Sequence, residues 1–580
     1  MPYPMQEKWS YKAIPNLLGG LDQSKQPDAL ADNQCVMLRD VKITNGMLVS
    51  SNGYTQYGTS TGINGAFVQD LQATYQFNRR NGTSELICIS IGSVHKYNAA
   101  LNKWILVAGA LETTTTAAYT AGATVFAVAA IPVGLVVGNT LCIVLDNTDI
   151  HFSTITVIAG LNITISGTGI PVGRTVASGS RVYKPVGLNG NVANTVSLVH
   201  VPGSDWVVFT NGIDPPKYWN GTSCLQVPGL PSAGNTVCRS VALYNTALFL
   251  IGTTEGGVAY PQRVRRSNQT DPTDWVGGTA GYDDLLDSSD AVMCGRLLGP
   301  YLIIYKSRSI IRCSFIGSSG FNYQYETMVT HEGAITPSSV CTVKDRHVFI
   351  GHNNIYEYAG DFTIKAIGDQ IRPTLFSSGK NVSPTYDYVM FIMYIEAFDE
   401  VWVFYPRLDF ANSACNYAFR YHVGTGIWYD SYFDLPVRCG AVYRPENEES
   451  ELNFHLCGYT FKKIYAYDPS TYNGINGFPV PFIVESKDFI MTDGQFRFDM
   501  IEMNIQGTAV TLAYSTDSGV TYTTLATITQ AVQGKIRVHK QFVCNKVRFK
   551  WTGSSNNFKL SWFGFSYKNE NLYISGSNTY

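Results

Sequence analysis

The sequence predicts an all-β protein with a β-propeller core, an inserted small β-domain and a C-terminal β-sandwich. Three observations favour this class. Charged residues make up only 15% of the 580 residues, and the residue types that long helices prefer are scarce. The hydrophobic content of 45% is enough for a large core. Short apolar runs that carry paired aromatic residues recur along the chain between turns rich in Gly, Asn and Asp.

The recurring runs are typical of β-hairpins. In each, an apolar strand reaches a polar turn, and a second strand then carries one or two aromatics on one face. Repetition of such hairpins predicts propeller blades, although their irregular spacing gives no blade count. A set of unrelated antiparallel hairpins in a sandwich remains the alternative. The runs occupy residues 86–98, 206–220, 348–360, 401–428 and 452–468.

Two regions depart from this pattern and define the predicted domains. Residues 113–184 are rich in Thr, Ala, Val and Gly and poor in aromatics, and residues 478–580 show alternating half-buried strands instead. We therefore predict an N-terminal arm and the first part of the propeller in 1–112, and an inserted domain in 113–184. The rest of the propeller follows in 185–477 and the sandwich in 478–580. A slip of the apolar phase between Met500 and Ile501 predicts a β-bulge.

Charge and cysteine usage exclude several classes of protein. The formal net charge is −2 and basic clusters are short, which argues against a dedicated nucleic-acid binder. The twelve cysteines are isolated and never form C-x-x-C, so we expect buried free thiols in a chain assembled in a reducing cytoplasm. The apolar stretch Thr124–Leu145 contains Pro132, Gly134 and Gly138, which favours strands over a membrane anchor.

The clearest short motif lies near the C-terminus. Its residues match the S-x-D-x-G-x-T-W/Y Asp-box of sialidases and related propellers. In that box the Asp and Ser side chains satisfy backbone groups of a hairpin turn and the aromatic packs beneath it. We interpret the motif as a structural turn without catalytic function. Its members are Ser515, Asp517, Gly519, Thr521 and Tyr522.

No residue pattern predicts a catalytic, cofactor-binding or metal-binding site. Gly58–Gly62 matches G-x-S-x-G by letter but lacks the preceding strand and following helix of a nucleophile elbow. The acidic residues of Asp283–Asp290 lack EF-hand spacing, which favours a solvated loop. His347 and His352 are five residues apart, so a strand would point them to opposite faces, which disfavours shared metal ligation. We expect no enzyme and no cofactor, although paired carboxylates from distant strands remain open.

Several segments resemble the tail nozzle family of short-tailed phages (podoviruses), which includes tail tubular protein B-like and packaged-DNA stabilisation proteins. Ile14–Ser24, followed by residues 32–41 and 45–54, resembles the start of these proteins. Arg263–Asn268 and Asp271–Trp275 are similar to their R-v-x-x-S … D-P-x-x-W signature. Residues 297–317, 331–340 and 348–361 follow in the family's order, and residues 514–522 resemble a strand–turn–strand of the DNA-stabilisation proteins. The inserted region resembles small β-modules found in many phage tail proteins.

The resemblance implies a structural virion protein that forms a ring, usually a hexamer, in the phage tail. Such a ring would sit below the portal and the adaptor, continue the DNA channel, retain the packaged genome and open for ejection. Expected partners are the head–tail connector proteins and possible tail fibres, with DNA passing through the lumen without sequence-specific binding. Loops such as residues 376–386 would gate the distal opening. The alternatives are a receptor-binding or carbohydrate-active (sialidase- or depolymerase-like) tail protein and an unrelated bacterial propeller scaffold.

Overall fold

The computed structural model confirms the all-β prediction, with 58% of residues in strands and 2% in helices. It describes residues 9–60, 66–147, 149–191, 193–318, 321–377, 382–383, 385, 387–408, 414–444, 453–490, 494–554 and 557–570. Most of the proposed gating segment 376–386 therefore lies outside the described residues, as does part of the Gly58–Gly62 motif. The described residues contain forty-four strands, which build a propeller, an inserted sheet and a sandwich.

The N-terminal segment contributes six strands. β2 and β3 run parallel, and β4 and β5 form an antiparallel hairpin. The other partners of these strands come from the C-terminal half of the chain. The six are β1 (Ser10–Ile14), β2 (Gly20–Leu21), β3 (Gln34–Arg39), β4 (Val41–Thr44), β5 (Met47–Ser50) and β6 (Gly53–Gln56).

The first propeller blade and the inserted sheet follow in sequence. Blade 1 is a four-stranded antiparallel sheet of β7 (Leu71–Asn78), β8 (Ser84–Ser90), β9 (Ser93–Asn98) and β10 (Lys103–Leu106). The inserted sheet has the order β11-β16-β13-β14-β15-β12 and its own buried core around Phe126, Leu141 and Ile163. Its strands are β11 (Ala108–Thr114), β12 (Val125–Ala127), β13 (Thr140–Val144), β14 (Ile150–Ala159), β15 (Asn162–Ile165) and β16 (Arg181–Pro185).

Blades 2 to 5 are four further four-stranded antiparallel sheets, each built from consecutive strands. Blade 2 contains β17 (Ser197–Val201), β18 (Trp206–Thr210), β19 (Lys217–Trp219) and β20 (Cys224–Gln226). Blade 3 contains β21 (Thr236–Tyr244), β22 (Ala247–Glu255), β23 (Val258–Arg266) and β24 (Gly281–Asp284). Blade 4 contains β25 (Val292–Leu298), β26 (Tyr301–Lys306), β27 (Ile310–Ser318) and β28 (Phe321–Val329). Blade 5 contains β29 (Val340–Val343), β30 (Arg346–Ile350), β31 (Ile355–Tyr358) and β32 (Lys365–Ala366).

The last two blades share one long strand. A short helix, α1 (Arg372–Leu375), and 3₁₀ turns at Asp387–Val389 and Glu396–Phe398 accompany them. Blade 6 contains β33 (Phe391–Ile395), β34 (Glu400–Tyr405), β35 (Cys415–His422) and the first half of β36 (Ile427–Tyr443). The second half of β36 opens blade 7 and pairs with β37 (Asn453–Gly458), which pairs with β38 (Lys463–Asp468).

Blade 7 is completed by β6 from the N-terminal segment, which pairs antiparallel with β38. Buried hydrophobic clusters then fill the space between each pair of consecutive blades, from blades 1 and 2 around to blades 7 and 1. The cluster between blades 7 and 1 contains Trp104, Cys457 and Ile464. The seven blades of the described residues therefore form a closed ring.

The C-terminal sandwich is built around one strand that belongs to both of its sheets. The first part of β41 pairs with β44 and its last part pairs with β43. Aromatic side chains such as Phe498, Phe549 and Trp551 fill the space between the sheets. The strands are β39 (Pro481–Ser486), β40 (Phe489–Ile490), β41 (Gln495–Ser515), β42 (Thr523–Cys544), β43 (Lys546–Ser554) and β44 (Lys559–Glu570).

The predicted bulge in the sandwich is present, close to its expected position. Against β44 the register of β41 shifts between Phe498 and Met500, and Asp499 is the extra residue on β41. Against β42 the register shifts at the same place, but there the extra residue belongs to β42. The buried side chains Phe498 and Ile501 then face the same core although they are three residues apart. A regular strand would have placed them on opposite faces.

The sandwich also includes the N-terminal segment, which the sequence did not indicate. β1 pairs with β44, β3 pairs with β39, and β5 pairs with β44. The core of the sandwich is continuous with the space between blades 5 and 6, where Val348 and Phe419 belong to the same buried cluster as Trp551. Propeller and sandwich thus share one core.

Candidate functional site

The arginine-rich signature on β23 forms an ion-pair network inside blade 3. Arg263 binds Asp284 through two hydrogen bonds of 2.8 and 2.9 Å, and Arg265 binds Glu255 at 2.9 and 2.7 Å. Arg266 pairs with Asp283. Such bidentate pairs fix the positions of β22 and β24 relative to β23, because the planar guanidinium group binds a carboxylate in a defined orientation. This part of the signature orders the outer half of the blade.

The prediction of a solvated loop is wrong for Asp283 and Asp284, but Asp287 does lie exposed in the turn that follows them. Asp283 and Asp284 lie on β24, where they face the arginines of β23. Asp290 accepts hydrogen bonds from Ser309 and the Arg308 N–H group and lies 3.3 Å from the Lys306 ammonium. Among the described residues, no group of three or more His, Cys, Asp or Glu side chains has the arrangement of a metal site.

The second part of the signature closes the space between blades 2 and 3. The Asn268 side chain donates to Asp274, whose other carboxylate oxygen accepts the N–H groups of Val276 and Gly277. This turn presents Trp275 to the core between the blades, where it is buried and donates to the Pro228 carbonyl at 3.2 Å. The whole signature is thus a set of fold-determining contacts.

The Asp-box-like residues form the turn between β41 and β42. The Ser515 hydroxyl donates to Asp517 at 2.6 Å and accepts the Gly519 N–H at 2.8 Å, while Asp517 accepts the Thr521 N–H and hydroxyl. These hydrogen bonds lower the pKa of Asp517. Gly519 has φ +87°, a conformation that suits glycine. The Tyr522 hydroxyl donates to Glu485 at 2.9 Å, which ties the turn to β39.

The remaining motifs show no shared site. His347 hydrogen-bonds to the Tyr305 hydroxyl and the Leu297 carbonyl, whereas His352 hydrogen-bonds to the Ser307 carbonyl. All twelve cysteines are free and ten are buried, which confirms the expectation of free thiols, with Cys341 and Cys439 half-buried. No helix in the described part of the chain has the length and apolar character needed to cross a membrane.

A buried charge network lies where the N-terminal segment meets blade 6. Arg420 and Glu400 are almost fully buried and joined by bonds of 3.0 and 3.2 Å. The Arg420 guanidinium lies 4.6 Å from the ring centroids of both Trp402 and Tyr429, and it donates to the Ser51 hydroxyl at 2.9 Å. Burial lowers the pKa of Arg420, but the Glu400 carboxylate outweighs this effect and raises it.

Two further buried acids, Asp40 and Asp430, lie at the same contact between the N-terminal segment and blade 6. Asp40 donates its backbone N–H to the Asp430 carbonyl, and its carboxylate accepts the Tyr432 N–H at 3.1 Å. Burial and the neighbouring Asp430 charge raise the pKa of Asp40 to about 8. Arg39 binds the Asp430 carboxylate at 2.8 Å. Asp40 also borders a cavity of about 30 Å³, which is large enough for a water molecule.

The longest exposed element is the outer strand of the sandwich hairpin. β42 has 22 residues, and β41 is the only strand that pairs with it within the described residues. At about 3.3 Å per residue its open edge extends over up to about 70 Å. Val532 is 73% exposed on this strand. The stretch Lys535–Lys540 carries two lysines, one arginine and one histidine. Proteins usually shield such an edge, because its free backbone groups can pair with another strand.

The Arg420–Glu400 pair is expected to be essential for stability. Glu400→Gln leaves a buried guanidinium without its counter-charge, so we expect the free energy of unfolding to fall by about 3–5 kcal/mol. The double variant Glu400→Leu/Arg420→Met should lose less than the single variant. Urea unfolding measures both. The control Glu112→Gln breaks the half-exposed pair with Arg181 and should cost less than about 1 kcal/mol. Equal losses in the single and double variants would contradict the expectation.

Asp40 is expected to make stability depend on pH. Its folded pKa of about 8 lies above its unfolded value of about 4, so the folded state holds the proton more tightly. The stabilisation is complete below about pH 4 and is lost as the pH rises to 8. Asp40→Asn should therefore become increasingly more stable than the wild type across this range in thermal unfolding. Asp345→Asn, at an exposed carboxylate, is the control. A constant difference between wild type and Asp40→Asn would contradict the assignment.

Comparison with known proteins gives little further guidance. No family model and no curated protein matches the chain. Among solved structures, BBS1N in complex with ARL6DN has a TM-score of 0.30 and 12% identity over 51% of this chain and 83% of that one. A fungal alcohol oxidase of the AA5 family, in complex with copper, has a TM-score of 0.30 and 9% identity over 86% and 99% of the chains. An exo-β-1,3-galactanase from Phanerochaete chrysosporium has a TM-score of 0.24 and 8% identity over 64% and 95%. Similarities this weak support no conclusion about the activity of this chain.

Proposed function

We propose that this chain is a structural virion protein of a short-tailed bacteriophage. In this proposal it is one subunit of the ring, usually a hexamer, that forms the tail nozzle. The ring continues the DNA channel, retains the packaged genome and opens for DNA ejection. Head–tail adaptor proteins contact the ring, and tail fibres or other appendages are further possible partners. The chain is assembled in the host cytoplasm, resides in the virion tail and has no catalytic role.

The observation that carries the proposal is the resemblance of segments spread along the chain to the tail nozzle family. Those segments occupy positions that determine the fold. Ile14–Ser24 runs from β1 into β2, where Gly20 has φ +74° and a Cβ atom would come within 2.4 Å of Ile427. In the same segment, Asp22 is buried and accepts the Ser24 N–H at 2.9 Å. A resemblance in residues of this kind supports a common architecture.

The open edge of β42 supports the ring in this proposal. A subunit of a closed ring needs two lateral surfaces, and a long strand with a free edge is suited to one of them. The exposed side of β42 carries Val532 and Val543 next to the basic stretch Lys535–Lys540. We assign this edge to the contact with the neighbouring subunit.

The charge distribution fits the passage of DNA. Firm binding to phosphates would need many free Lys and Arg side chains, and it would oppose movement of the genome. Here the signature arginines Arg263, Arg265 and Arg266 are engaged by carboxylates within their own blade. The near-neutral net charge of −2 also argues against firm binding to DNA phosphates.

Electron microscopy of the chain in its native particle tests the function. We expect a sixfold ring on the tail axis with a central hole that continues the channel. Peripheral trimers or projecting appendages would overturn the proposal and favour the receptor-binding or carbohydrate-active alternative. A second test is the DNA content of particles that lack the protein. Normal retention of the genome in such particles would overturn the gating role.

Two proline substitutions test the role of the β42 edge. Successive N–H groups of a strand point to opposite sides, so of Val538 and His539 one donates toward β41 and the other toward the open edge. Val538→Pro and His539→Pro should therefore differ. The variant at the inward position should lower the thermal unfolding midpoint, because it removes a ladder hydrogen bond. The variant at the outward position should keep a midpoint near that of the wild type but fail to enter particles. Incorporation of both variants at the wild-type level would contradict the assignment.

A further inference from the structure

The axis of the propeller contains a cavity of about 310 Å³. The innermost strands of six blades line it, so it lies where the blades converge. Its walls include Gln72 of β7, Ser197 of β17, Arg296 of β25, Phe391 of β33 and Arg438 of β36. At about 30 Å³ per water molecule, the space exceeds what a few ordered waters would fill. It is large enough for a small polyatomic ligand.

The wall of this cavity is positively charged. Arg296 and Arg438 are among its lining residues, and no Asp or Glu is among the described ones. The Arg296 guanidinium donates to the carbonyls of Gly295 and Pro337 at 3.0 and 3.3 Å, which are neutral acceptors. Arg438 is only 5% exposed, and burial lowers the pKa of its guanidinium. Two like charges at one cavity favour an anionic occupant.

A buried hydrogen-bond acceptor lies in the same wall. The Gln72 side chain is 8% exposed, and its Nε2 donates to the Asn191 carbonyl at 3.4 Å. Its Oε1 is buried and has no hydrogen-bond partner. A buried acceptor in this state is costly unless a ligand or water supplies a donor. A ligand that complements this site therefore carries negative charge and also an O–H donor.

We propose that the central cavity binds a small protonated oxyanion of the hydrogen phosphate class, free or as a phosphomonoester. Its charged oxygens accept from Arg296 and Arg438, and its P–OH group donates to Gln72 Oε1. Planar guanidinium groups suit phosphate oxygens, because they offer paired donors in a fixed geometry. Sulfate has the same shape but no proton at neutral pH, so it satisfies the arginines and not the glutamine. This site is independent of ring assembly.

Equilibrium dialysis of the purified full-length chain with radiolabelled inorganic phosphate tests the site, with ionic strength held constant by NaCl. We expect saturable binding of one phosphate per chain. Arg296→Gln and Arg438→Gln should each weaken binding at least tenfold. The control Arg308→Gln, at an exposed position of blade 4, which also holds Arg296, should bind phosphate as the wild type does. Circular dichroism checks that each variant is folded, and Arg296→Lys, which keeps the charge, should retain part of the affinity.

Competition experiments distinguish the predicted ligand from a general anion effect. Unlabelled phosphate should displace the label at lower concentration than sulfate, and Gln72→Leu should remove most of this preference. A simple phosphomonoester such as glycerol 2-phosphate tells whether a substituted phosphate also enters. The proposal would be overturned if the chain showed no saturable phosphate binding, or if Arg296→Gln and Arg438→Gln both bound phosphate as tightly as the wild type. Equal competition by sulfate and phosphate would overturn the role of Gln72.

Discussion

The closure of the propeller by a strand from the other end of the chain is the constraint on which the rest of this structure depends. A ring of seven blades must join its last sheet to its first, and here β6 does so by pairing with β38. The segment that leads to β6 has already contributed strands to the sandwich. Closing the ring therefore also fixes the sandwich against the blades, because one continuous stretch of chain belongs to both.

The contact between the N-terminal segment and blade 6 is polar for a buried interface. Arg420, Glu400, Asp40 and Asp430 meet there, although apolar residues could fill the same space. Burying charges is costly, so such pairs contribute little net stability even when they are well bonded. Their geometry is strict, however, since a shifted strand would leave a charge without its partner. We infer that the network selects one register for the N-terminal segment among the many that hydrophobic contacts alone would permit.

Much of the fold could be predicted from the sequence, because it depends on local patterns. Paired aromatics indicated hairpins, the apolar phase slip indicated the bulge at Asp499, and the Asp-box letters describe a turn in which Ser515 and Asp517 hydrogen-bond to Gly519 and Thr521. The contacts that escaped prediction join distant parts of the chain. The pairing of β6 with β38 has no local signal, and neither has the convergence of Arg296 and Arg438 at one cavity. Asp283 and Asp284 were misread as a solvated loop because their partners are on the preceding strand, across a long turn. The assignment to a phage tail is carried by the sequence resemblance and remains a proposal.

The common core of propeller and sandwich has a mechanical consequence. Val348 of blade 5, Phe419 of blade 6 and Trp551 of the sandwich belong to one packed cluster. Close-packed interiors transmit displacement and resist shear. Blades 5 and 6 and the sandwich should therefore move together as one body. In the proposed ring, a small tilt of every copy of the chain about its lateral contacts would change the width of the channel along its whole length, without any copy changing its internal shape.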